Sequence, residues 1–289
     1  MRLARGEKLF SVFNYVIVTT FAAACLYPFL YILATSFSSM RAVTSGRVFL
    51  WPVEFNINAY NQLLADMQIF YAMRNTVLLT VVGIGLNMLS TILCAYALSK
   101  KRLDGRGIFT GMIVFTMMFS GGLIPSFLLI RSLGLMNTYW ALWLGGLQST
   151  YNMIVLRTFF QGIPDSLEES AQIDGANDPY ILTRIVLPLS GAALATITLF
   201  YAVGWWNSYF GPMMYIQSPE RWPLMVKLRQ MLDLARNTIS LDSEGLELMV
   251  AQETYRAAAI LVATLPIICV YPFLQKYFVK GVMIGSLKG

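Results

Sequence analysis

The chain has no histidine, so the commonest general base and metal ligand is missing. Its three cysteines, Cys25, Cys94 and Cys269, lie far apart, each inside an apolar run. They read as small buried apolar residues and suggest neither a disulfide framework nor a thiolate metal site. No Gly-Lys dipeptide occurs, and a phosphate-binding P-loop requires one. A Ser/His/Asp set and a Cys-x-x-Cys pair are absent too. Together these gaps argue against catalysis by this chain. Charge is equally scarce: 12% of the residues are charged, where a soluble domain carries about 25%.

What charge there is avoids six long windows. Phe10–Met40, Asn75–Ser99, Gly107–Ile130, Ser132–Leu156, Ile185–Ser218 and Ala257–Gln275 contain no Asp, Glu, Lys or Arg. A helix crosses the hydrocarbon with roughly 20 apolar residues, so each window holds one span. The expected fold is therefore an all-α integral membrane protein with six transmembrane helices in a single domain, residues 1–289. The spans are expected near 10–37, 75–98, 108–130, 138–159, 188–211 and 257–279, with outer loops at 41–74 and 212–256 and a cytoplasmic loop at 161–187.

The net charge is +6, and its placement orients the chain. With a cytoplasmic N-terminus, the inside receives Arg2, Arg5, Lys8, Lys100, Lys101, Arg102, Arg106, Arg157, Arg184, Lys276, Lys280 and Lys288. The outer loops are longer and hold fewer basic residues, so the positive-inside rule places both termini in the cytoplasm. These charges sit in short flanks rather than on one patch, which disfavours a nucleic-acid partner. The opening MRLARGEK and its apolar run could pass for a signal peptide, but the run continues through YPFLYILATSF. That is too long for a signal core and reads as a retained first span. In the first outer loop, NINAYNQLL reads as a short amphipathic helix at the membrane surface. In the third span, SGGLIPSF at 120–127 marks a local break, whose freed backbone groups need partners.

No acidic or basic residue lies deep in any span, as proton- or sodium-coupled transporters often require. Energy for uphill movement must then come from a partner. The stretch from Pro164 to Pro188, PDSLEESAQIDGANDPYILTRIVLP, is the most polar passage between two spans. It is punctuated as two short helices. Ser166 and Glu169 have capping-box spacing, Gly175 stands where a glycine closes a helix, and Asp178-Pro179 restarts one as N-cap and first-turn proline.

Within this stretch Glu169, Ser170 and Ala171 are followed by three residues, Gly175, nine residues, Ile185, one residue and Leu187-Pro188. The pattern resembles the cytoplasmic EAA loop of ABC importer permeases, departing only at Ser170, where the family has alanine. LGLMNTYWAL, VLRTFFQGIPDSLEESAQIDGA, IVLPLS and KGVMIGSLKG are similar to carbohydrate-type permeases related to the smaller membrane subunit of the maltose importer. MFSGGLIPSF and the long fifth-to-sixth outer loop resemble the branch of oligosaccharide and polyuronide importers that includes the alginate oligosaccharide system.

The resemblance implies a type I ABC importer permease in a bacterial cytoplasmic (inner) membrane. Its partners would be a second homologous permease, two ATPase subunits and an external solute-binding protein delivering a sugar or oligosaccharide. No cofactor is expected in this chain; ATP and Mg belong to the ATPase subunits. The turn would be the coupling helix that docks on an ATPase subunit, with Glu169 as polar anchor, Ala171 and Gly175 at close approach, and Glu168 and Asp174 at the rim. Gly281, Gly285 and Lys288 of the tail would reach towards the ATPases.

For the substrate pathway, sugars need aromatic faces and amide partners. Trp205, Trp206, Asn207 and Tyr209 of the fifth span supply this chemistry, with Asn87, Gln148 and Asn152 from the second and fourth. Basic residues on the outer side, Arg74, Arg131, Lys227 and Arg229, are compatible with an anionic saccharide. The alternatives left open are a permease for an amino acid, peptide or phosphate, and a secondary transporter.

Overall fold

The computed structural model describes residues 5–237 and 253–269. Every regular element among them is helical: α1 (Arg5–Ser36), α2 (Met40–Thr44), α3 (Asn58–Ala65), α4 (Met67–Ser99), α5 (Arg106–Met118), α6 (Leu123–Ser132), α7 (Trp140–Gly145), α8 (Thr150–Gln161), α9 (Asp165–Ile173), α10 (Asp178–Leu189), α11 (Gly191–Trp206), α12 (Phe210–Tyr215) and α13 (Leu224–Asn237), with residues 253–269 as α14. The described residues fall into two compact units, 5–70 with 227–237 and 253–265, and 71–226 with 266–269.

In the first unit, α1 leaves its apolar stretch uncovered by the chain up to its last turn, where Ala34, Thr35 and Ser36 are buried, as suits a helix surrounded by lipid. Past its end, the Ser39 hydroxyl accepts from the Ala42 N–H and caps α2, and it donates to Glu54. Ser39 and Arg47 hold the Glu54 carboxyl below its ordinary value. The Phe37 ring stacks between those of Phe55 and Tyr60, at 5.5 and 4.8 Å. Helix α3 realises the expected amphipathic turn and buries Leu63.

The second unit carries the larger core, centred on Leu79, Met153, Leu156, Ile181, Val186 and Ile197. Its helices differ from six straight rods. Among the described residues only Phe10–Ser36 and Met67–Ser99 are long and apolar enough to cross a bilayer unbroken. The second expected span begins earlier than residue 75, because α4 starts at Met67, one residue after Asp66. The third is broken where SGGLIPSF suggests: α5 and α6 meet at 112°, with Gly122 at φ +87°. The fourth comes as two short helices, α7 and α8, separated at residues 146–149. The fifth bends by 86° between α10 and α11, at the fully buried Ser190. The last expected span, 257–279, is described only to residue 269 and is helical to that point.

In a low-dielectric interior the backbone groups freed at a break need partners. At 146–149 one side chain supplies partners for two carbonyls. Asn87 of α4, 1% exposed, donates from Nδ2 to the carbonyls of Gly146 at 2.5 Å and Leu147 at 2.9 Å. Its Oδ1 accepts from the Trp205 indole at 2.7 Å. The Tyr201 hydroxyl accepts from the Ser149 N–H at 3.2 Å and bonds Thr91 at 2.7 Å. Glycine makes room for the indole: a Cβ on Gly83 would stand 2.6 Å from the Trp205 ring, and one on Gly146 3.2 Å from it.

Candidate functional site

Helix α8 ends at Gln161, and the chain turns through Gly162 and Ile163 into the polar turn. Helix α9 starts two residues before the expected capping box. Pro164, with its fixed φ, is the N-cap and makes no side-chain cap bond, so Ser166 lies inside the first turn and its pairing with Glu169 does not form. The other end agrees with the sequence reading. Gly175 sits at φ +85°, its N–H bonds the Gln172 carbonyl at 3.0 Å, and the Ala176 N–H bonds the Ala171 carbonyl at 2.9 Å. This pair of bonds is a Schellman closure, which uses a left-handed residue that glycine adopts at least cost. Asn177, not Asp178, caps α10, accepting from the Tyr180 N–H at 3.0 Å. Asp178 and Pro179 open the first turn.

Within α10 the ladder widens to a π segment over Leu182–Val186, and the Leu187 N–H reaches back five residues to the Leu182 carbonyl. Pro188 follows at once. It has no N–H and would crowd a regular turn behind it, so it stands where the pitch is already changing. Ile185 and Leu187 are half-buried against the core, which accounts for two fixed apolar positions of the pattern.

Helix α9 has two distinct faces. The inner face carries Glu168 and Ala171, the latter packed against the core. Glu168 forms an ion pair with Lys100, both side chains largely shielded at 16% and 15% exposure. The Lys100 ammonium also lies 4.1 Å from the centroid of the Tyr96 ring. Two exposed pairs flank this one, Lys101–Asp165 at 2.9 Å and Arg102–Asp178. Lys101 holds the Asp165 carboxyl below its ordinary value, chiefly through their hydrogen bond. The Arg157 Nε donates to the Leu98 carbonyl at 3.0 Å. Ser166, Glu169, Ser170 and Ile173 form the outer face, at i, i+3, i+4 and i+7. All four are exposed, Ile173 by 87%. Asp174 is exposed at the C-cap. A cleft of about 730 Å³ between α9 and α10 is lined by Leu167, Ser170, Gly175, Tyr180 and Arg184.

Of the residues expected to anchor the turn, Glu169, Asp174 and Gly175 thus lie at its exposed side, while Glu168 and Ala171 point inward. Sequence reasoning missed the clamp formed by Lys100, Lys101 and Arg102. The sequence shows three consecutive basic residues, but which acid each one meets, Glu168, Asp165 or Asp178, is set by the fold. The basic run had been used only to orient the chain.

The expected pathway residues do not form one cluster. Asn87 and Trp205 spend their polar atoms on each other and on the α7–α8 break. Gln148 accepts from Ser90, and its Nε2 is buried with no partner among the described residues. Asn152 and Trp206 are buried. Asn207 is exposed and donates to the Val203 carbonyl at 2.9 Å, and the Tyr209 hydroxyl lies 2.8 Å from the Met213 sulfur. Gly281, Gly285 and Lys288 lie outside the described residues. Among the described residues no group of His, Cys, Asp and Glu is placed to hold a metal ion.

Compared with known proteins, residues 1–284 match the model of the binding-protein-dependent transport system inner membrane component family. The chain belongs to this family. The permease is 43% identical over 284 residues to the polygalacturonan/rhamnogalacturonan transport system permease protein YtcP of Bacillus subtilis, covering 98% of the permease and 99% of that protein. It is 39% identical over 289 residues to protein LplC of the same organism, covering 100% of the permease and 98% of LplC. Its fold is similar to a chain in the crystal structure of a bacterial ABC transporter involved in the import of the acidic polysaccharide alginate. There the TM-score is 0.88 at 38% identity, covering 96% of the permease and 99% of that chain. The all-helical architecture is thus the permease fold expected from the sequence.

Proposed function

We propose that this chain is the membrane-spanning, non-catalytic subunit of an ATP-driven carbohydrate importer and that α9 is where an ATPase subunit grips it. The observation that carries the docking role is the division of α9 into two faces. One face is fixed to the protein by an ion pair and apolar packing. The other offers Ser166, Glu169, Ser170 and Ile173 to the outside. A large apolar side chain 87% exposed on a rigid, Schellman-closed turn gives a partner an apolar contact beside an acidic anchor. A helix held at both ends passes a partner's displacement to the spans nearly as a rigid body.

The chain has six spans with both termini in the cytoplasm, and it assembles with a second permease of the same family, two ATPase subunits that bind ATP and Mg, and an external binding protein. Gly281, Gly285 and Lys288 of the tail extend towards the ATPases. The substrate is a sugar or oligosaccharide, and an acidic one is favoured by the named substrates of the polygalacturonan and alginate systems. On the pathway, Gln148, Asn152, Trp206, Asn207 and Tyr209 remain as contacts, while Asn87 and Trp205 shape it from behind. Glu169→Lys, inserted normally in the membrane, is expected to lose co-purification of the ATPase subunits. Full retention of the ATPases in that variant would defeat the docking role.

A further inference from the structure

Helix α9 is joined by peptide bonds to α8 on one side and α10 on the other, but not to α4. The long helix meets the turn through side chains at and just beyond its cytoplasmic end. These are the three ion pairs of Lys100, Lys101 and Arg102 and the Tyr96 hydroxyl, which donates to the Asp178 carbonyl at 3.4 Å, while the Arg157–Leu98 bond ties α4 to α8. The ion pairs are unequal. Lys101–Asp165 is exposed by 82% and 67%, and Arg102–Asp178 by 54% on both sides. Solvent screens such pairs and leaves them mobile. Lys100–Glu168 is shielded, and the Tyr96 ring backs its ammonium, so removing one partner strands the other charge away from water.

Further along the same helix, α4 carries Asn87. It lies about 20 Å from Lys100 at a rise of 1.5 Å per residue, and it binds the α7–α8 break and Trp205 of α11. We propose that the Lys100–Glu168 pair is the positioning contact that makes α4 move with the docked α9, delivering the motor's displacement to the layer of broken helices around Asn87. The proposal rests on the docking role of α9, and its test separates the two.

The test uses the whole importer, with its partner permease and ATPases, in membranes. Gly85→Cys places a thiol on an exposed part of α4 with nothing within 4 Å, in a background whose native cysteines are serine. Maleimide labelling is compared with and without vanadate-trapped ATP, and ATPase co-purification is measured alongside. With Lys100 intact, labelling is expected to change with nucleotide. In Lys100→Met and Glu168→Gln the ATPases stay bound, but the nucleotide-dependent change falls by about tenfold. The swap K100E/E168K restores it, and Lys101→Ala leaves it unaltered. A change undiminished in both neutral variants, absent with Lys100 intact, or not restored by the swap overturns the proposal. Should both neutral variants fail to accumulate and the swap restore accumulation alone, the pair is a folding element and the proposal fails. Loss of the ATPases from the parent importer would instead strike the docking role itself.

Discussion

Replacing Asn87 with leucine removes an amide and keeps the side-chain volume similar, so the expected loss is almost wholly in hydrogen bonding. Three bonds disappear: Nδ2 to the Gly146 and Leu147 carbonyls, and the Trp205 indole to Oδ1. Hydrogen bonds between membrane helices average about 0.6 kcal/mol each, because the unfolded state in the membrane also finds partners. Leaving a buried donor or acceptor unsatisfied in a folded protein costs about 1–3 kcal/mol. The Gly146 and Leu147 carbonyls stand where the α7–α8 ladder has stopped, so helix bonds cannot replace the amide. We therefore place the cost of Asn87→Leu at about 2–4 kcal/mol. For a chain of this size that lowers the thermal midpoint by about 2–4 °C per kcal/mol, measured on the purified permease in one detergent. Trp205→Phe, which loses the indole bond and the part of the ring packed against Gly83 and Gly146, is expected to cost about 2–3 kcal/mol. The double variant should cost less than the two single changes added, because both remove the same bond. A midpoint unchanged in Asn87→Leu, or strict additivity with Trp205→Phe, would refute the assignment of this amide as the tie across the break.

Two further outcomes follow from glycines. Gly83→Ala drives a Cβ to within 2.6 Å of the Trp205 indole, an overpacking expected to cost about 1–3 kcal/mol; a shifted tryptophan emission with a lowered midpoint would register it, and an unchanged spectrum would count against the close approach. Gly175→Ala meets no atom within 4 Å, so its cost, about 1–2 kcal/mol, is conformational alone. It should weaken ATPase retention without altering membrane insertion, and unaltered retention would show that the Schellman closure is not needed for docking.

The spans and the turn were legible in the sequence for different reasons. The bilayer excludes charge over a fixed thickness, so charge-free windows mark stretches able to lie in it, and among the described residues two of them fall in unbroken helices long enough to cross. The closure at Gly175 was legible because a left-handed residue after a helix restricts the choice at one position. The start of α9 was not, since Pro164 and Ser166 both carry start signals and Pro164 takes the role. Asn177 displaces Asp178 at the next start for a related reason. Asp178 has an ion pair with Arg102 to make, while Asn177 caps. The clamp joins residues 68 apart in the chain for Lys100 and Glu168, a pairing that tertiary structure alone brings together. The break in the fourth span had the same cue as the third, two adjacent glycines at 145–146, but no proline beside them. The amide of Asn87 and the hydroxyl of Tyr201, both arriving from other helices, make that break tolerable.

The π segment of α10 has a bearing on how the exposed face of α9 is aimed. A widened turn accommodates one residue more than a regular helix would, and one residue corresponds to about 100° of rotation about the axis. Leu182 and Val186 both point into the core across it, so the segment acts as an angular spacer between α9 and the membrane-embedded α11. Removing a single residue there would regularise the helix and turn Glu169 and Ile173 aside by more than a quarter of a circle. The bearing of the proposed docking face is thus stored in one irregular turn, directly before Pro188.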